Sequence, residues 1–367
     1  MEKKKRLKSW FRLCPVRHVL TLAGLLMIGA YFLLRGSTAS MRWLYEHITA
    51  PLHRSLAGLC DQVRFSVGEV LIVLTVLLVL GYLIWAVLQM VRKKHILTGL
   101  YRIFMTVTML ATLIYGGFCT LWGVYYEVSS FQAESGLQRE LVSTEQLEAV
   151  TRYFAELCNS YGQQVQRDEH GVFCEPLEPI FDKAETLYDQ VEEEFPCLAG
   201  PSHRAKPVFF SRIMSYLQFT GFFFPFTAEA NINVDSPACL IPSTIAHELA
   251  HQRGVAAEDE ANFVAVVSSL SSGDPVYSYS ASLLAYIYLG NALYKADRDA
   301  WSEVYGTLSQ EVRADLSSNN AYWDQFETPA ATVSDTVYNG FLQSYGQEQG
   351  LKTYGACVDL LVAYYYK

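Results

Sequence analysis

The sequence predicts a mainly α protein: three transmembrane helices followed by a mostly helical outer domain with a small sheet. Three observations carry this. Hydrophobic residues make up 51% of the 367, too many for a disordered chain or a charged coiled-coil rod. Three apolar runs, 16–34, 70–91 and 103–126, each come near or above the roughly 20 residues needed to cross a hydrocarbon core. The charge is also split. Residues 1–125 carry 15 Lys/Arg against 4 Asp/Glu and residues 126–367 carry 13 against 33, so a basic, apolar third precedes an acidic two-thirds large enough to bury its own core. No polybasic face remains on that larger part, which argues against nucleic acid as a partner.

The first run follows Lys3, Lys4, Lys5, Arg6, Lys8, Arg12 and Arg17, the basic start of a signal peptide. Its length, the lack of a clean small-x-small cleavage site and the two further spans make it a retained helix. The N-terminal cluster and the Arg92-Lys93-Lys94-His95 loop with Arg102 are expected on the cytoplasmic side, leaving 35–66 and everything after 126 outside. The expected organisation is therefore a membrane domain, 1–126, in the lipid bilayer of a multi-pass protein, and an extracytoplasmic domain, 127–367.

In the outer part, 137–160 and 176–195 place apolar residues at three- and four-residue steps among charges and are expected as amphipathic helices. Pro196 and Gly200-Pro201 punctuate the chain. Strands are expected at 206–213 and 226–234, where apolar residues alternate or run with Thr and Asn. Phe219 and 222–226 form an apolar patch, read as core or else as a lip dipping into the outer leaflet. Helices are expected at 244–253, 258–270, 280–295 and 301–316, with two more after Asp335. The outer cysteines, Cys158, Cys174, Cys197, Cys239 and Cys357, are odd in number and form no CxxC, which indicates buried thiols or one or two bridges and no cysteine zinc site.

The chemistry concentrates in Ser243-Thr-Ile-Ala-His247-Glu248-Leu-Ala-His251-Gln-Arg-Gly254, which contains HExxH. Residues four apart share a helix face, so His247 and His251 can aim at one cation while Glu248, about 100° around, reaches a water beside it. Ser243 is expected as the N-cap and Gly254 as the C-cap. Zinc in a catalytic site takes a third protein ligand and keeps one position open. Downstream stands Glu258-Asp259-Glu260-Ala261-Asn262; on a helix Glu258 and Asn262 share a face and Glu260 points elsewhere. Only one of the two glutamates can be the ligand. Glu258 is the better choice, because the Asn262 amide oxygen can accept the free N–H of a ligating histidine. The plain alternative is an acidic first turn complementing the helix dipole.

This arrangement resembles the gluzincin metallopeptidases, where HExxH is followed by a helix bearing E-x-x-[AS]-D. Here Asn262 replaces the Asp and the gap from His251 is only seven residues. The metzincin turn HExxHxxGxxH is matched at Gly254, but its third histidine would fall at Ala257. A broader resemblance runs through Phe224-Pro-Phe-Thr227-Ala-Glu229-Ala-Asn231, the HExxH segment, Glu258-Asp-Glu-Ala-Asn262-Phe, Val333-Ser-Asp335, Gly350-Leu-Lys-Thr-Tyr354-Gly and Val358-Asp-Leu-Leu. In these the chain is similar to the bacterial membrane-protein family called domain of unknown function 3810, which also opens with membrane spans. The gluzincin resemblance implies a zincin-like outer domain, a Zn2+ held by His247, His251 and Glu258, and Glu248 as general base. It also implies that 226–233 is the edge strand on which an extended peptide lies, the plain alternative being an ordinary strand under the core, and that a Tyr, His or Arg stands near the substrate carbonyl; Tyr277, Tyr338 and Tyr354 are candidates.

The expected function is a membrane-anchored zinc metallopeptidase of the bacterial cell membrane acting on a peptide or protein substrate. The alternatives are a non-catalytic receptor or assembly factor with a structural zinc, and a zinc amidase acting on cell-wall material.

Overall fold

The computed structural model describes residues 11–137, 142–344 and 354–366. The basic residues Lys3 to Lys8 and most of the Gly350 to Tyr354 motif lie outside the described residues. The chain is mainly helical and divides into two compact units. One comprises the residues up to Leu56, Val67–Val128 and Pro225–Thr227; the other comprises Ala57–Ser66, Ser129–Phe224 and the residues from Ala228 on.

The first unit holds α1 (Pro15–Leu34), α2 (Thr38–Leu44), a π-helical turn, α3 (Ala50–Cys60, whose last turn belongs to the second unit), α4 (Val67–Lys93) and α5 (Ile96–Leu121). Three helices, Pro15–Leu34, Val67–Arg92 and Ile96–Leu121, are long and apolar enough to cross a membrane. The third of these helices lies several residues earlier than the 103–126 expected for a span, because helix already begins at Ile96 and gives way after Leu121 to a 3-10 turn at Gly123–Glu127. Residues 38–60, expected only as a loop, are helical. Gly24 and Gly116 let α1 and α5 touch backbone to backbone: a Cβ on Gly24 would stand 2.6 Å from the Thr112 carbonyl carbon.

His53 on α3 is buried, with Nε2–H donating to Pro225 O (3.0 Å) and Nδ1 accepting from the Tyr125 hydroxyl (2.8 Å). Burial holds this imidazole down at about 4. An unfolded chain takes up the proton near 6.5 and the folded one resists it to about 4, so stability fades as pH falls through that window, at up to ~1.4 kcal/mol per pH unit. Thermal unfolding in detergent from pH 7 to 4.5 checks this. His53→Gln should flatten the decline relative to wild type, and parallel pH profiles would refute it.

The second unit contains α6 (Phe131–Ser135), α7 (Thr144–Gly162), α8 (Leu177–Lys183), α9 (Val191–Glu194), β1 (Lys206–Pro207), α10 (Ser211–Tyr216), β2 (Gly221–Phe224) and β3 (Glu229–Ile232). It continues with α11 (Ile241–Gln252), α12 (Glu258–Ser271), α13 (Pro275–Ala296), α14 (Arg298–Gly306), α15 (Gln310–Asp324), α16 (Pro329–Ser344) and α17 (Tyr354–Tyr365). Helix α13 lies along α7 and packs on α11, α12 and α17, and their apolar faces form one core cluster that includes Phe154, Leu249, Phe263, Leu289 and Leu361. Local chemistry sets the ends. Ser143 and Gln146 form a capping box at α7, and Asp274 accepts the N–H groups of Val276 and Tyr277 ahead of α13.

Several expected elements are corrected. The 176–195 helix is broken into α8, a 3-10 turn at Ala184–Thr186 and α9. The 301–316 helix is two helices: Asn159 takes the Ser309 N–H (2.7 Å) and donates to Thr307 O (2.8 Å), and Ser309 caps a new start. The 206–213 strand stops at Pro207, where Ser211 bonds Val208 O and receives Val234 N–H, turning the chain into α10. All eight cysteines are free thiols, so the outer part has no bridge.

The sheet has the order β1-β3-β2, with β1 parallel and β2 antiparallel to β3, and Phe223 opposite Ala230. Residues 226–233 thus supply the central strand, which is paired on both sides; the edge beside α11 is β2, from the half-buried aromatic patch.

Candidate metal centre

Helix α11 carries His247, Glu248 and His251. Its start is Leu240 with Pro242 in the first turn, so Ser243 is not the N-cap; Ser243 is buried inside the helix, with its N–H on Ser280 Oγ (3.0 Å). Its end is a glycine turn. Gly254 takes φ +95°, the left-handed region that a side chain resists, and Val255 N–H returns to Ala250 O (3.1 Å). That reversal sends the chain straight into α12, which is how a gap of seven residues brings Glu258 back to the histidines.

His247 Nε2 stands 3.2 Å from Glu258 Oε2, and His251 Nε2 3.6 Å from Glu258 Oε1. One donor atom from each of the three residues lies within 4.8 Å of the others. The far nitrogens are held: His247 Nδ1 by Asn262 Oδ1 (3.0 Å) and His251 Nδ1 by Val255 O (2.7 Å). A carbonyl oxygen only accepts, so His251 Nδ1 carries a hydrogen; with the amide oxygen likewise accepting from His247, each Nε2 is turned toward Glu258 and can bind a cation in exchange for any proton it holds. Burial opposes charge on His251, but the Glu258 carboxylate outweighs it and pushes the imidazole up to about 9. Burial likewise acts against the Glu258 carboxylate, and the two imidazoles overcome it, holding its pKa well below the usual range. The pocket thus has a place for positive charge between three donors.

Glu260 is elsewhere. Its carboxylate accepts the backbone N–H groups of Phe131 (2.9 Å) and Gln132 (3.2 Å) at the start of α6. Glu258 and Asn262 share one face, as the helix spacing requires.

Glu248 is buried on the same helix, and burial pushes its carboxyl upward despite the pull of His247 and His251. It receives the Phe223 backbone N–H from β2, and Oε2 has no hydrogen-bond partner among the described residues. Gly221 lies directly against it: a Cβ there would meet Glu248 Oε1 at 2.6 Å and Cγ at 2.8 Å. The β2–β3 turn is fixed to α11 by Gln252, whose Nε2 donates to the carbonyl of Ala228 (2.7 Å), a residue at φ +55°.

Of the three tyrosine candidates, Tyr338 on α16 reaches the centre, its hydroxyl donating to Glu258 Oε1 (2.6 Å). Tyr277 does not; it is buried, with its hydroxyl on Ile180 O (2.7 Å). The side chain of Tyr354 lies outside the described residues. Gly221 and the Phe223 N–H were not singled out from the sequence. The one available signal was a glycine heading an apolar run, a mark of close backbone approach.

No curated protein and no solved structure matches the chain significantly. The match that is found spans residues 42–362 and takes in both the apolar helices α4 and α5 and the whole histidine–glutamate centre, so the chain belongs to the family described as Protein of unknown function (DUF3810).

Proposed function

We propose that this protein is a membrane-anchored zinc metallopeptidase with a gluzincin-like centre in a zincin-like domain, and that this domain faces away from the cytoplasm. The observation that supports it most is the pairing of a three-donor pocket with a buried carboxylate that no cation site needs: His247, His251 and Glu258 converge, and Glu248 stands beside them. Two imidazoles and one carboxylate suit zinc and leave a position open, and both imidazoles have the N–H acceptors that fix a ligating tautomer. Bound there, zinc supplies Lewis acidity toward water and toward a substrate carbonyl. Glu248 takes the proton of the attacking water and later returns it to the leaving amine; burial suits this by making the carboxylate more basic. Strand β2, an edge of the sheet whose Phe223 N–H meets Glu248, suits an extended peptide laid alongside. The orientation rests on the basic N-terminal cluster and on Arg92, Lys93 and Lys94 at the junction of the second and third apolar helices, with Arg102 in the first turns of the third.

The test uses the full-length chain. The purified protein should hold about one zinc per chain. Spheroplasts expressing it should cleave a membrane-impermeant peptide library from outside, with loss on chelation and recovery on adding zinc back. Zinc retained without cleavage of any peptide or muropeptide would favour a structural site, and cleavage seen only in inside-out vesicles would reverse the orientation.

A further inference from the structure

In the second unit, most of the large apolar side chains left exposed among the described residues fall in two stretches. Leu59 and Phe65 are 70% and 55% exposed in the segment before α4, and Phe209, Phe210, Ile213 and Leu217 project around α10, with Phe209 at 85%. Helix α10 turns Ser211, Met214 and Ser215 inward, which leaves Ile213 and Tyr216 outward beside Arg212, whose guanidinium is paired with Asp235 (3.0 Å).

Buried polar contacts join the two stretches into one patch. Lys206, three residues before Phe209, is buried and donates its ammonium to the carbonyls of Cys60 (3.1 Å) and Val63. Asp61 accepts from His203 Nδ1 (2.6 Å) and the Arg204 N–H (3.1 Å). Ser66 donates to Asn231 Oδ1 (2.5 Å), and Asn231 is the β3 partner of Lys206. The next residue after Ser66 is Val67, where the most apolar of the three long helices begins. Phe65 is therefore two residues from a span, and the α10 face is tied to the same segment.

We propose that this patch is an interfacial membrane anchor. Leu59, Phe65, Phe209, Phe210 and Ile213 sink into the headgroup–acyl boundary of the leaflet that the chain enters at Val67. The occupant is lipid, because the patch is continuous along the chain with α4, and aromatic and branched aliphatic groups at such a boundary bury apolar area without crossing it. The proposal holds whether or not the metal centre is catalytic.

The experiment reconstitutes the full-length protein in phosphatidylcholine–phosphatidylglycerol vesicles containing a phosphatidylcholine with a diazirine on its acyl chain. Photolysis and peptide mapping then locate the adducts. Adducts on the 207–217 peptide should exceed those on peptides bearing the exposed Tyr153 and Tyr294 several-fold. A Phe209→Ser, Phe210→Ser, Ile213→Ser variant should lose that labelling while keeping the unfolding temperature of the wild type. Labelling of 207–217 no greater than at Tyr153 and Tyr294 would overturn the proposal. If the triple variant unfolds early, the single Phe209→Ser variant carries the same comparison.

Discussion

Glu258→Gln is expected to lower the zinc affinity of the protein by well over the roughly 100-fold that loss of an outer partner costs, and Glu260→Gln to leave it within about twofold. The contrast follows from which way each carboxylate points. Glu258 stands 3.2 and 3.6 Å from the two Nε2 atoms, and Glu260 is spent on the N–H groups of Phe131 and Gln132. Glu260→Gln should show itself as a small loss of stability, about 1 kcal/mol, from a weakened helix start. Asn262→Ala should fall between the two, at about 10- to 100-fold, because it frees His247 to rotate. His247→Ala and His251→Ala should each empty the centre. Metal content by mass spectrometry and competition with a chelating dye measure all five. A site emptied by Glu260→Gln and left intact by Glu258→Gln would refute the arrangement.

The largest effect on turnover is expected at Glu248. Glu248→Gln should keep the metal and the fold and lose about 10²- to 10⁴-fold in kcat, the usual contribution of a positioned base. Gly221→Ala should reproduce part of that loss without touching a ligand. Its Cβ would stand 2.6 Å from Glu248 Oε1 and 2.8 Å from Cγ, so the buried side chain must shift from its place beside the histidines. Because the defect passes through Glu248, adding Gly221→Ala to Glu248→Gln should cost little more, which a double-mutant cycle on kcat reads directly. Additive losses would show that Gly221 acts some other way, and an unchanged kcat in Gly221→Ala would remove the contact altogether.

How much of this was legible in the sequence depends on the range of the forces involved. The apolar runs and the α11 and α12 registers are local patterns, so the three long helices and the shared face of Glu258 and Asn262 could be read directly. Boundaries were not: the third span is offset because Ile96 to Arg102 extend a helix that hydropathy alone does not require. Strand β2 was missed because Gly221-Phe-Phe-Phe has no alternation, and only pairing with β3 makes it a strand. That pairing also moved 226–233 from the edge to the middle of the sheet. The split of the 301–316 helix depends on Asn159, some 150 positions away in sequence. Tyr338 was one of many tyrosines, and nothing short of the folded chain separates it from Tyr277.

The tie between Lys206 and residues 60–63 bears on where the protein can be cut. By composition, the acidic part looks separable just after the third span, yet its stable unit borrows Ala57–Ser66 from between the first two. A truncation beginning near Ser129 would strip the carbonyls of Cys60 and Val63 from a buried ammonium, leave His203 without Asp61 and take Ser66 from Asn231. An uncompensated buried charge costs several kcal/mol, a large share of a domain's whole stability. The second unit thus closes its own core with a segment that lies, in sequence, between the first two long apolar helices, so any fragment that keeps the fold of this unit must also keep residues 57–66.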